Sequence, residues 1–119
     1  NKKGHIINVS SVAAHTDINP YCTVYAMTKK AVKAISDGLR QEEAIFKSNI
    51  RVTDMAPGAI DTDLKYTVTD PEMKEAVMAA YADNMPKLSA GDMARAIVYV
   101  INEPDNIVVN EIVVRPVND

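Results

Sequence analysis

The 119-residue chain carries 47% hydrophobic residues, 24% charged residues and a formal net charge of -3, which bounds it to one domain and argues against wholesale disorder. Charges of both signs are interspersed and the pI is about 5.3, so no nucleic-acid partner is expected, and no membrane partner either, since no apolar run approaches the roughly 18 residues that span a bilayer. The single cysteine, Cys22, cannot form an internal disulfide, and with two histidines it cannot build a zinc-finger-type site.

Asn1 opens the chain without a methionine, and His5–Val9 follows at once as a strand. Ile6, Ile7 and Val9 are apolar and β-branched and Asn8 alone is polar, as suits a strand of a parallel sheet buried on both faces. Gly4 reads as the turn before it. A chain that opens on such a strand reads as a piece of a longer polypeptide. No leader-like segment precedes the strand, so a reducing, cytoplasmic setting is the default expectation.

Ser10–Ala14 and a polar loop ending at Asn19-Pro20 lead into a long helix over about Cys22–Lys47. Val24, Met27, Ala31, Ala34, Ile35, Gly38, Leu39, Ile45 and Phe46 recur at helical spacing in it. Ile50–Met55 is a second strand, broken by Pro57-Gly58. Asp70-Pro71 starts a helix expected to end near Asn84–Pro86. Ser89-Ala90-Gly91-Asp92 resembles a capping box, with Met93, Ala94, Ile97, Val98 and Ile101 as the stripe of the helix behind it. Ile107–Val109 and Ile112–Val114 make one strand or two. The order β-α-β-α-α-β predicts an α/β fold with a parallel sheet. The six methionines, spread singly, read as core filler.

Tyr25 and Lys29 stand four apart, on one face of the first helix. An ammonium beside a phenol favours the phenolate, and a tyrosine so tuned can exchange a proton with an alcohol or carbonyl oxygen. A half-buried tyrosine beside a solvated lysine is the plainer alternative. Ser11 follows the end of the first strand and Pro57-Gly58 the end of the second. Ligands of open α/β sheets sit outside those ends. Ser11 therefore has a route to the pocket of Tyr25, or is a serine in a turn. Thr62 could bond a ligand amide or merely cap a turn.

Gly4-His5-Ile6-Ile7-Asn8-Val9-Ser10-Ser11, Tyr25-x-x-x-Lys29 and Pro57-Gly58-x-x-x-Thr62, in that order, closely resemble the short-chain dehydrogenase/reductase family. The resemblance covers residues 1–119 and corresponds to the C-terminal half of that family's doubly wound, Rossmann-type domain. Within the family the chain looks most like bacterial NADP-dependent 3-hydroxy-acid, serine-type dehydrogenases. It implies hydride transfer between NADP (NAD is possible) and a small carbonyl or alcohol substrate. Tyr25 would be the acid/base, Lys29 the holder of the nicotinamide ribose, and Ser11 the group that orients the substrate oxygen. Pro57, Gly58, Ile60 and Thr62, with Tyr25 and Lys29, would line the nicotinamide. A homodimer or homotetramer is implied, and residues 64–85 would form a substrate lid, where Lys65, Tyr66 and Lys74 could meet a carboxylate, though solvated charges are the plainer reading. The family's glycine-rich phosphate loop and catalytic asparagine would lie upstream, so the 119 residues alone are expected to show negligible turnover.

A serine hydrolase would want Gly-x-Ser-x-Gly or Ser-x-x-Lys, and neither occurs. His15 could flank a substrate pocket, though a solvated loop histidine is the plainer reading, and Cys22 reads as a packed or exposed thiol. The remaining alternative is a non-catalytic association subdomain, with Ala31, Ala34, Gly38 and Leu39 as a flat surface for a second copy. Tyr25→Phe would abolish the enzymatic role and spare association, and a charge at Ala34 would do the reverse.

Overall fold

A computed structural model describes residues 3–16, 20–82 and 84–117. Its regular elements are β1 (Gly4–Val9), α1 (Thr23–Phe46), β2 (Ile50–Pro57), α2 (Pro71–Ala80), α3 (Ala90–Asn102) and β3 (Glu111–Val114), with short 3-10 turns at Val12–Ala14, Pro20–Cys22 and Asp63–Thr67. The three strands form one parallel sheet in the order β1-β2-β3. The expected α/β fold, parallel sheet and element order are therefore present. Part of the polar loop, residues 17–19, lies outside the described residues.

Successive side chains of a strand point to opposite faces. Register sets Ile6 beside Val52, Asn8 beside Asp54, and Asp54 beside Glu111 on one face. That face meets α1, since Asn8 bonds Ser36 and Glu111 bonds Lys33. The other face carries the apolar core. Met55, Met93 and Val100 are buried there against Ile7, Ile60, Leu88, Ala96, Ile97, Val109, Ile112 and Val114.

Several boundaries depart from the expectations. Gly4 belongs to β1 rather than to a turn before it. Pro57 does not break β2: the strand runs through it, opposite Val114, and the Gly58 N–H continues the ladder to the Val114 carbonyl at 2.7 Å. The Asp54 N–H and the Gly58 N–H both bond toward β3. Alternation therefore turns the Pro57 nitrogen toward β1, beyond its end at Val9, where a missing donor costs nothing. The final strand is confined to Glu111–Val114, because Ile107 and Val109 give their carbonyls to side chains of Arg51 and Thr53.

α2 stops at Ala80, short of the expected Asn84–Pro86. Lys87 Nζ takes the Tyr81 and Ala82 carbonyls at 3.1 and 3.2 Å and satisfies the groups that a further helical turn would have used. Its start is as read, with Pro71 at the first turn and Asp70 accepting from the Met73 N–H at 2.9 Å. Ser89 and Asp92 close a complete capping box at the start of α3. The α3 stripe is rotated from the expected one: Met93, Ala96, Ile97 and Val100 face the core, while Ala94, Val98 and Ile101 are exposed. Only Met55 and Met93 of the six methionines are core residues, the other four being exposed.

Candidate active site

The C-terminal ends of β1 and β2 collect the motif residues. β1 ends at Val9, and the chain turns through Ser10 and Ser11, both buried. Ser10 is tied to β2 by its N–H (2.8 Å) and its hydroxyl (3.4 Å), both donating to the Met55 carbonyl. Ser11 opens the 3-10 turn over Val12–Ala14, its Oγ accepting from the Ala13 N–H at 3.2 Å. Ser10 is thus committed to the sheet, while Ser11 keeps its O–H proton to donate elsewhere.

Tyr25 and Lys29 lie in the first two turns of α1, on one side of it. The Lys29 ammonium stands 5.8 Å from the centroid of the Tyr25 ring. It also donates to the Val9 carbonyl at 3.2 Å, the last residue of β1. One cation therefore ties the Tyr25 face of the helix to the strand end from which the Ser11 turn begins. Tyr25 itself is 43% exposed, open to a ligand on that side. Cys22 is exposed and caps α1 without a side-chain bond.

The turn after β2 lies beside the first. Pro57 is buried, and Gly58, Ala59 and Ile60 are half-buried. Ile60 forms an isolated parallel bridge with Leu88 and packs against the core. Thr62 caps the 3-10 turn over Asp63–Thr67, its Oγ1 accepting from the Leu64 N–H at 3.4 Å, and it is exposed. The plainer of its two readings is therefore realised, though the hydroxyl proton is left to donate. Lys65 is not solvated: it pairs with Asp61 at 3.1 Å and stands 5.3 Å from the Tyr66 ring. Its hydrogen bond and charge hold the Asp61 carboxyl below the usual range.

Tyr81 carries no signal in the sequence, and His15 departs from its expected solvated role. Burial pushes the Tyr81 phenol above its usual range, and Tyr25 and Cys22 push it further, so it stands within electrostatic reach of the motif tyrosine. His15 is not a solvated loop residue. Its side chain is 16% exposed, its Nε2 lies 3.2 Å from Asp54 Oδ2, and its Nδ1 lies 4.0 Å from Glu111 Oε2. The one available signal was Asp54 itself, a carboxylate in a strand of otherwise buried character, which needs a partner. His5, on the opposite face, bonds Thr53 Oγ1 at 2.7 Å. Burial and then Arg51 lower its pKa, and it has no part in this cluster.

The short chain dehydrogenase family profile matches residues 1–73. The chain belongs to the short-chain dehydrogenase family. It is 48% identical to an uncharacterized oxidoreductase of Staphylococcus saprophyticus over 97% of its own length and 45% of the relative's. It is 37% identical to dehydrogenase/reductase SDR family member 11 of Bos taurus, over 95% of this chain and 44% of that one. Among solved structures, the closed form of serine dehydrogenase complexed with NADP+ superposes with a TM-score of 0.83 at 27% identity, covering 99% of this chain and 46% of that one. A 4-hydroxyisoleucine dehydrogenase complexed with NADH gives 0.69 at 25%, covering 96% and 45%. The chain thus spans about half the length of the short-chain dehydrogenases it matches. Its four glycines stand far apart in sequence, so it contains no glycine-rich phosphate loop of the kind that binds a dinucleotide pyrophosphate.

Proposed function

We propose that these residues form the catalytic half of an oxidoreductase acting between a nicotinamide cofactor and a small carbonyl or secondary alcohol, with a short hydroxy acid as the preferred substrate class. The observation that carries this reading is the position of Lys29, beside the Tyr25 ring and anchored on the last carbonyl of β1, next to the Ser11 turn. The bound nicotinamide would supply or accept the hydride. The fit concerns its nicotinamide end alone: an unburied cation at Lys29, the hydroxyl of Thr62, and a turn of small and apolar residues at Pro57, Gly58 and Ile60. The phosphate-binding half would come from another stretch of polypeptide.

On this reading Tyr25 Oη gives its proton to the carbonyl oxygen as the carbon accepts hydride, and takes it back in the reverse direction. Lys29 stabilises the phenolate left behind and bonds the ribose hydroxyls. Ser11 donates to the same substrate oxygen and fixes its direction. NADP is preferred on the likeness to the NADP+-bound serine dehydrogenase, with NAD as the alternative.

The test joins these 119 residues to the part of the Staphylococcus saprophyticus relative that precedes its matched region. The fusion is assayed with NADP+ or NAD+ and L-serine or short 3-hydroxy acids. Turnover is expected in the fusion and not in the 119 residues alone. Tyr25→Phe should lower it by about 10²–10⁴-fold while leaving cofactor binding nearly unchanged. A Tyr25→Phe fusion as fast as its parent would overturn the assignment.

A second reading concerns assembly. Val24, Met27, Ile35 and Ile45 are apolar and more than half exposed along one stripe of α1. That stripe supports pairing with a second copy of the chain, as a homodimer or homotetramer, and is compatible with the catalytic reading.

A further inference from the structure

We infer that His15 is a positioning residue for the Ser11 turn, acting through its bond to Asp54. The inference rests on the reading above that Ser11 orients the substrate oxygen. Ser11 and His15 are the two ends of one short, closed unit. The Ala14 N–H donates to the Ser11 carbonyl and the His15 N–H to the Val12 carbonyl, each at 2.9 Å. Whatever fixes His15 therefore fixes Ser11.

His15 is fixed by the sheet. Its Nε2 bonds Asp54 Oδ2 at 3.2 Å, while Asp54 is 0% exposed and its Oδ1 is buried without a partner among the described residues. A buried carboxylate is expensive, and one with an idle oxygen more so. Its neighbours on the same face of β2 are the apolar Val52 and Ala56. The other polar groups of this layer are occupied mainly with one another, with Glu111 also 4.0 Å from His15 Nδ1. Asn8 donates to Ser36, Lys33 pairs with Glu111 and Asp37, and Arg40 pairs with Asp37 and donates to the Asn110 carbonyl. Asp54 is left facing the turn, and His15 meets it there. Lys30 supplies a second tether, from α1 to the Ala14 and Thr16 carbonyls at 3.3 Å each. The turn is thus clamped between the strand that leads to Pro57 and the helix that carries Tyr25 and Lys29. Loss of the imidazole frees one side of the clamp and leaves those two residues in place. Misplacing an orienting group by about 1 Å can slow turnover by about 10²-fold.

The first measurement is amide hydrogen exchange by NMR on the 119-residue chain. In His15→Ala the amides of Ala14 and residue 15 should exchange at least about tenfold faster while those of Thr53 and Asp54 hold their protection. His15→Gln, which keeps an N–H donor, should restore most of it. Unchanged protection in His15→Ala, or equal losses in the turn and in β2, would overturn the inference. If His15→Ala fails to fold, the same comparison between His15→Gln and Asp54→Asn decides it, with faster exchange confined to the turn as the supporting result. The second measurement is in the fusion protein. His15→Ala should lower kcat by about 10–10²-fold with the KM for the nicotinamide cofactor little changed, and His15→Gln should recover it. An unchanged kcat sinks the positioning role. Turnover that survives Tyr25→Phe instead removes the catalytic reading, whatever the Ala14 amide does.

Discussion

Met55→Ala tests whether the apolar face of the sheet carries the stability of this chain. Met55 is 0% exposed and sits at the centre of the cluster with Met93 and Val100. Truncation removes a methylene, the sulfur and a methyl, about 2 kcal/mol of transfer free energy. The cavity left behind brings the total to about 3–4 kcal/mol. That loss is large for this molecule. Its radius of gyration is 16.1 Å, against about 13–14 Å for an ordinary domain of its length, so its stability should lie at the low end of the usual range, about 6 kcal/mol. With a urea m-value of about 1–1.5 kcal/mol/M, the midpoint should fall by about 2–4 M. The assay is urea unfolding of the purified chain, followed by circular dichroism. Met78→Ala on α2 is the matched control: the same atoms are lost from a side chain 37% exposed, and the cost should stay below about 1 kcal/mol. Equal midpoints for the two variants would refute the location of the core. Because Met55→Ala keeps the backbone, the carbonyl that holds Ser10 is retained, and the effect should appear in stability alone.

Two further predictions follow from the surface. Ala34→Glu places a charge on the exposed stripe of α1; it should change monomer stability by no more than about 0.5 kcal/mol and weaken self-association more than tenfold by analytical ultracentrifugation, and unchanged association would remove α1 as the interface. The bonds from Ser89 and then Arg95 hold the Asp92 carboxyl down at about 2. A depressed folded-state pKa gives stability that is present above the unfolded value, near 3.8, and lost as pH falls toward 2. Asp92→Asn should flatten the thermal-unfolding profile between about pH 4 and 2, and an unaltered slope would show that the capping box does not carry it.

The elements legible in the sequence are those set by neighbours in the chain. Asp70-Pro71 and Ser89–Asp92 announce helix starts because a cap and its N–H groups lie within three residues. The strands at Ile6 and Val52 declare themselves by β-branched apolar runs. The motif at Tyr25 and Lys29 was legible for the same reason, since helical spacing alone puts both on one face. What could not be read were choices made across long separations. Val98 and Ile101 are as apolar as Ile97 and Val100, and only the packing of α3 on β2 decides which pair is inside. Lys87 ends α2 from outside it. His15 and Asp54 are 39 residues apart, and nothing local distinguishes a loop histidine in water from one on a buried carboxylate.

The two faces of the sheet differ in a way that bears on how the site is held. The α3 face is apolar around Met55, with the polar bonds of His5, Arg51 and Thr53 confined to its other end, and apolar contacts stabilise without fixing direction closely. The α1 face is polar: Asn8, Asp54 and Glu111 on the strands meet Ser36, His15 and Lys33 above them. Such a layer gains little over apolar packing and sometimes loses to it, but its hydrogen bonds have angles to satisfy and so set the helix in one register. α1 accordingly inverts the usual surface helix, with Ser36 buried and Ile35 and Ile45 exposed. A helix built only to cover the sheet would present Ile35 inward. One that must hold Tyr25 and Lys29 at a set distance from the Ser11 turn gains from directional bonds on its inner side, and its outer stripe is left for the second copy proposed above. On the proposed reading, catalysis and association would make demands on opposite sides of the same helix, and a charge on one side should leave the other intact.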